Sequence, residues 1–215
     1  MIKTIKPSKL EKILFIFLII LAVSAFSSFF LLKNKCLFID KNDLKKLNFE
    51  NPDNIAVMNL ECGNVIIELY PETSPKAVER FKMLISAGEY DNVAFHRVVK
   101  DVLVQAGDLE FGKKNNLNYS YIGSGKSGYG TLNSEFSKKF IFKKGSVAMV
   151  KTSKKNTEDS QFFILLNDSP AFNERYTPIG KVLYGLEVLK KIKNNDKSDY
   201  VLRPDFINSF QLLIK

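Results

Sequence analysis

Arg97 and Gln105 stand on two neighbouring apolar segments, Phe95-His96-Arg97-Val98-Val99 and Leu103-Val104-Gln105-Ala106. Arginine is almost never fully buried without a partner. Set among Phe95, Val98, Leu103 and Val104, Arg97 is expected to face a cleft as a fixed cationic donor. A second block, Ser160-Gln161-Phe162-Phe163-Ile164, supplies aromatic surface. Together they predict a site that grips an apolar peptide and offers it one strong hydrogen-bond donor. His96 is the sole histidine of the chain. Strand alternation puts it on the face opposite Arg97, as a structural residue. No motif places the second and third partners of a Ser-His-Asp or Cys-His centre. Asp108 reads as a turn or strand-end acid. Cys36 and Cys62 are not at metal-ligand spacing, and with one histidine no metal site is expected. They read as separate cysteines rather than as a disulfide pair. The glycine-rich stretch 123–130 lacks the P-loop pattern and is expected to be a loop beside a groove. Nothing in these residues calls for a cofactor.

Such groups need rigid elements to hold them. Runs at 55–60 and 65–69 flank Glu61-Cys62-Gly63-Asn64, a hairpin signal. Ser74-Pro75 reads as a helix start, a hydroxyl cap followed by proline in the first turn. Ala77, Val78, Phe81, Leu84 and Ile85 then recur at helical spacing, and Gly88 stops the helix. Strand-like runs follow at 93–98, 102–106, 147–150, 162–166 and 179–183. A second helix is expected over 185–192. Phe206, Phe210, Leu212 and Ile214 alternate like a closing strand. Residues 110–130 form a long polar loop. Alternation sends Phe162 into the core and turns Phe163 outward. Many strands with two helices predict an all-β barrel capped by helices.

The same residues carry a family resemblance. The run FHRVVKDVLVQAGD resembles the signature of the cyclophilins, the cyclosporin-binding class of peptidyl-prolyl cis-trans isomerases. Gly123-Ser124-Gly125-Lys126, Asn133-Ser134-Glu135-Phe136, Gly145-Ser146-Val147-Ala148-Met149 and Gly180-Lys181-Val182 follow in the family's order, and the similarity covers residues 55–215. The resemblance implies an eight-stranded antiparallel β-barrel with a helix over each end. It implies isomerisation of the X–Pro bond in proline-containing polypeptides, without metal or cofactor. Arg97 matches the catalytic arginine. Gln105 matches the glutamine that bonds the substrate backbone and helps hold that arginine. Phe163 matches the floor of the proline pocket, and Leu103 one of its walls. The substrate-binding positions Val102 and Val150-Lys151 depart from the pattern: the first usually carries a phenylalanine wall, and the second an alanine-asparagine pair that makes backbone contacts to the peptide. The chain departs again at Ala171-Phe172, for tryptophan-leucine, and at Tyr176, for histidine. Phe172 and Tyr176 can still supply an apolar rim. With no tryptophan in the chain, weak cyclosporin binding is expected.

Residues 13–32 are an uncharged run, ILFIFLIILAVSAFSSFFLL. At about 1.5 Å per residue a helix of this length spans a hydrocarbon core of about 30 Å. A cleaved signal peptide is the alternative, with Val23-Ser24-Ala25 as its site. The apolar run continues beyond Ala25 through Phe29 and Leu32, which favours an uncleaved anchor. The chain then divides into a basic tail (1–12), an anchor (13–32), a polar tether (33–54) and an isomerase-like domain (55–215). The basic tail favours an orientation that places the domain outside the cytoplasm, in a periplasm if the source is Gram-negative. The net charge of +9 is spread over scattered lysines. It reads as a solvated basic surface, so no nucleic-acid partner is expected. A monomer is expected.

Overall fold

The computed structural model describes residues 8–33, 35–37, 39, 47–197 and 199–213. The chain forms two units, dividing after residue 38. Among the described residues the first contains one helix, α1 (Lys9–Lys33). Ser8 and Glu11 cap it reciprocally: the Ser8 amide donates to Glu11 Oε2 at 2.6 Å, and the Glu11 amide to Ser8 Oγ at 3.2 Å. The side chains of residues 8–29 are all exposed. Over Lys9–Phe29 the helix is long and apolar enough to cross a membrane. Residues 1–7 of the expected tail and 40–46 of the tether lie outside the described residues.

The second unit carries eight strands: β1 (Ile55–Leu60), β2 (Gly63–Leu69), β3 (Arg97–Val99), β4 (Leu103–Ala106), β5 (Ser146–Met149), β6 (Phe162–Leu165), β7 (Pro178–Tyr184) and β8 (Ser209–Leu212). They form one antiparallel sheet in the order β3-β4-β6-β5-β7-β2-β1-β8. The sheet curls into a half-barrel, where the alternating pattern predicts an all-β barrel. Ile214, expected in the last strand, lies outside the described residues. The inner face is filled by Phe162, Ile164, Val104 and Val147, none of them exposed.

Helix α2 (Pro75–Ser86) buries the five predicted positions Ala77, Val78, Phe81, Leu84 and Ile85. Phe81 packs edge-on to Phe162 and Phe210, with ring centroids 5.2 and 5.6 Å apart. Its cap differs from the expectation. Ser74 makes no side-chain cap. Instead Glu135, remote in sequence, accepts from the amides of Lys76 at 3.2 Å and Ala77 at 2.9 Å. A carboxylate satisfies two orphan N–H groups and opposes the helix dipole better than a hydroxyl can.

The second capping helix is shorter than expected. α3 (Leu186–Leu189) is a single turn. Beyond it Asn195 is drawn to the edge strand: its side chain accepts from the Val98 amide at 2.7 Å, and its own amide donates to the Val98 carbonyl at 2.9 Å. Those bonds cover an otherwise open strand edge. Neither cysteine is a free thiol; Cys36 and Cys62 are both disulfide-bonded. That corrects the expectation of separate cysteines, because sequence spacing does not report which cysteines pair.

Candidate active site

The site is built on four adjacent strands. Arg97 of β3 lies opposite Gln105 of β4, Gln105 opposite Phe163 of β6, and Phe163 opposite Ala148 of β5. Residues directly opposite in an antiparallel sheet share a face, about 5 Å apart per step. Arg97, Gln105 and Phe163 therefore form a row running outward from the strand edge. One pleat period away, Val99, Leu103 and Leu165 form a parallel apolar row. Phe163, Leu103, Leu165, Ala148 and Phe142 make one cluster, with Val99, Phe140, Val150, Phe172 and Tyr176 packed against it.

Arg97 lines a cavity of about 310 Å³, with Gln105, His96, Tyr121, Gly123 and Asp199 around it. Its guanidinium makes no hydrogen bond or ion pair with the described residues. The expected hold by Gln105 is replaced by another arrangement. Gln105 Nε2 donates to Gln161 Oε1 at 3.0 Å and lies 3.2 Å from His96 Nε2. The amide nitrogen of Gln105 carries two N–H groups and no available lone pair, so His96 Nε2 must accept and Nδ1 carries the proton. Nδ1 makes no hydrogen bond with the described residues. Burial accordingly pushes the His96 pKa down to about 4, against a smaller opposing pull from the Asp108 carboxylate. His96 is thus a structural residue, as expected, and a neutral brace of the glutamine. The alternation argument fails there because β3 begins at Arg97 and His96 lies in irregular chain.

Gln161 extends the brace. Its Nε2 donates to the carbonyls of Gly123 and Gly125, each at 3.0 Å. Asp108 holds the same loop from below, as a structural acid. Its buried carboxylate accepts from the amides of Glu110 (3.2 Å), Phe111 (2.8 Å), Gly123 (2.6 Å) and Gly125 (3.1 Å). A Cβ at Gly125 would run into that carboxylate, so the loop's glycine serves close approach.

Phe163 is only 3 % exposed, less than an aromatic surface patch would be. Phe172 and Tyr176 stand edge-on across it, with centroids at 5.5 and 5.1 Å. Phe142 stacks behind it at 6.5 Å. Phe140 and Phe142 were missed by motif reading, although they bracket the exposed Ile141 in a period-two pattern that marks an inward face. Val102 takes no part in this cluster. It sits on the turn between β3 and β4, 38 % exposed, and Val99 fills the apolar role instead. Val150 packs on the cluster, and Lys151 Nζ lies 5.4 Å from the Tyr176 ring centroid.

Residues 55–211 match the family model described as cyclophilin type peptidyl-prolyl cis-trans isomerase/CLD. The chain belongs to the cyclophilins. A probable peptidyl-prolyl cis-trans isomerase of Brucella suis is 38 % identical to this cyclophilin over 160 residues, 73 % of this chain and 81 % of that one. An Arabidopsis thaliana isomerase, CYP18-2, is 34 % identical over 141 residues, covering 64 % and 79 %. Among solved structures, a Cryptosporidium parvum cyclophilin crystallised in the presence of the dipeptide Ala-Pro superposes with a TM-score of 0.65 at 26 % identity, covering 75 % of this chain and 99 % of that one. The cyclophilin domain is accordingly a peptidyl-prolyl cis-trans isomerase.

Proposed function

We propose that this cyclophilin is a membrane-tethered isomerase that assists the folding of proline-containing polypeptides outside the cytoplasm. The observation that carries the catalytic reading is the row Arg97–Gln105–Phe163 on one sheet face. Resonance gives the X–Pro bond its double-bond character, and uncatalysed exchange takes tens to hundreds of seconds, on the order of 10² s at the slow end. Twisting the amide breaks that resonance and localises the lone pair on the prolyl nitrogen. An arginine with no internal partner, beside a ring seated against the aromatic cluster, bonds that nitrogen better in the twisted form than in either planar form. Selective stabilisation of this kind lowers the barrier without covalent chemistry. Gln105, braced by His96 and Gln161, is fixed to receive the substrate backbone through its remaining Oε1. Leu103, Phe172, Tyr176 and Val150 close on the prolyl ring.

The tether reading rests on α1, with its wholly exposed apolar surface over residues 13–29. The disulfide-bonded state of Cys36 and Cys62 favours an oxidising compartment. The full chain, in detergent micelles, is expected to accelerate cis-trans exchange of a prolyl tetrapeptide in exchange NMR; no acceleration would overturn the catalytic reading. A periplasmic-type reporter fused after Lys215 is expected to be active, and activity only of a cytoplasmic-type reporter would overturn the orientation. A second reading, a proline-binding module with little turnover, is favoured by the cover of Phe172 and Tyr176 over Phe163. Peptide-induced shifts without rate enhancement would support it.

A further inference from the structure

Lys151 lines two cavities at once. One, of about 330 Å³, runs along the glycine loop past Gly125 and Gln161. The other, of about 400 Å³, lies on the outer side of Phe172 and Tyr176. The Lys151 ammonium rests 5.4 Å from the Tyr176 centroid and 3.3 Å from the Thr152 carbonyl oxygen. No carboxylate among the described residues pairs with it. In the outer recess Lys155 and Arg175 join it, and Lys155 Nζ lies 5.7 Å from the Phe136 ring. Glu174 is the single acid in that lining, and Ala171 contributes only a methyl. Three cations against one carboxylate, beside the rings of Phe136, Phe172 and Tyr176, concentrate positive potential there. The recess thus carries a net excess of two cations over its one carboxylate.

We propose that this recess is a subsite for an acidic side chain of the substrate, an Asp or Glu within two residues of the isomerised proline, and that Lys151 is the cation that selects it. The inference rests on the isomerase reading, which seats the prolyl ring on the neighbouring cluster. Phe172 and Tyr176 belong to both that cluster and the recess. A chain leaving the ring advances at most about 3.6 Å per residue, so a side chain one or two positions away hangs over the recess. The ammonium is a compact point charge on a flexible stem, suited to following a carboxylate at either distance.

The test is exchange NMR on the full chain in micelles, with matched prolyl peptides carrying Glu, Ala or Lys at each position from two before to two after the proline. At one of these positions kcat/KM is expected to favour Glu over Lys by about fivefold, the upper end for a half-exposed ion pair. High salt should shrink the ratio. Lys151→Met should flatten it and Lys151→Glu should invert it. Ratios are compared within each variant, so a general loss of activity cancels. Wild-type ratios near one at every position would overturn the proposal, as would a Glu preference that survives both variants. Failure of wild type to accelerate even the Ala peptide would instead overturn the isomerase reading. The same peptides titrated by chemical shift would then still decide the subsite.

Discussion

Replacing Arg97 by alanine removes the one cationic donor in the row without unmaking the fold. Arg97 is half-buried, lines an open cavity, and makes no hydrogen bond or ion pair with the described residues. Its loss leaves no partner stranded, so stability should move by less than about 0.5 kcal/mol. For a domain of this size that is a shift in Tm of about 2 °C or less. The transition state, by contrast, loses a charge-assisted hydrogen bond worth about 1.5–3 kcal/mol. At about 1.36 kcal/mol per decade, kcat/KM should fall about 10- to 150-fold. Arg97→Lys should recover only part of the rate. It restores the charge but not the rigid planar fork of donors. The assay is exchange NMR on a prolyl tetrapeptide, with thermal unfolding run on the same samples. The reasoning is refuted if Arg97→Ala keeps more than half of the wild-type kcat/KM. It is equally refuted if activity falls only in step with a large drop in Tm, which would make Arg97 a packing residue.

His96 gives the fold a pH dependence. Its pKa is about 4 in the folded protein against an ordinary 6.5. As pH falls through 6.5 the unfolded chain takes up the proton first. The contribution of His96 is therefore fully present above pH 6.5 and is lost by about pH 4, amounting to about 3 kcal/mol. Urea midpoints of wild type and His96→Gln should diverge across that window; parallel curves would contradict the assignment. Phe163→Ala should cost about 3–5 kcal/mol, since the ring is buried between Phe142, Phe172 and Tyr176. An unfolding midpoint close to wild type would show that the cluster collapses into the gap. Glu135→Gln keeps the shape of the remote cap of α2 but removes its charge, and should cost about 1 kcal/mol in urea unfolding. Equal midpoints would mean that the dipole term is negligible there.

Much of the site was legible in the sequence for one reason: period-two alternation. Once residues 97–99, 103–106 and 162–165 are strands, Arg97, Gln105 and Phe163 fall on one face and Phe162 on the other. The helix α2 was equally legible, because its five buried positions repeat at helical spacing. What strand periodicity cannot reach is irregular chain. His96 lies one residue before β3, so the alternation that assigned it to the far face had no hold there. The cap of α2 comes from Glu135, and the brace of Gln105 from Gln161, across long stretches of chain that no local pattern links.

The sequence by itself carried the family resemblance, the expectation of a barrel of alternating strands, the apolar helix and the placing of Arg97, Gln105 and Phe163 on one face. These follow from local periodicity and from residues read in order. Only the tertiary structure decided that Arg97 has no internal hydrogen-bond or ion-pair partner among the described residues, that Gln105 is held by His96 and Gln161, and that Phe163 lies beneath Phe172 and Tyr176. It also decided that Val102 stands aside from the cluster and that Lys151 joins two cavities. Those are facts of distance between segments remote in sequence. They depend on how loops cross the sheet, and a loop's path is set by packing and by buried hydrogen bonds rather than by its own residues.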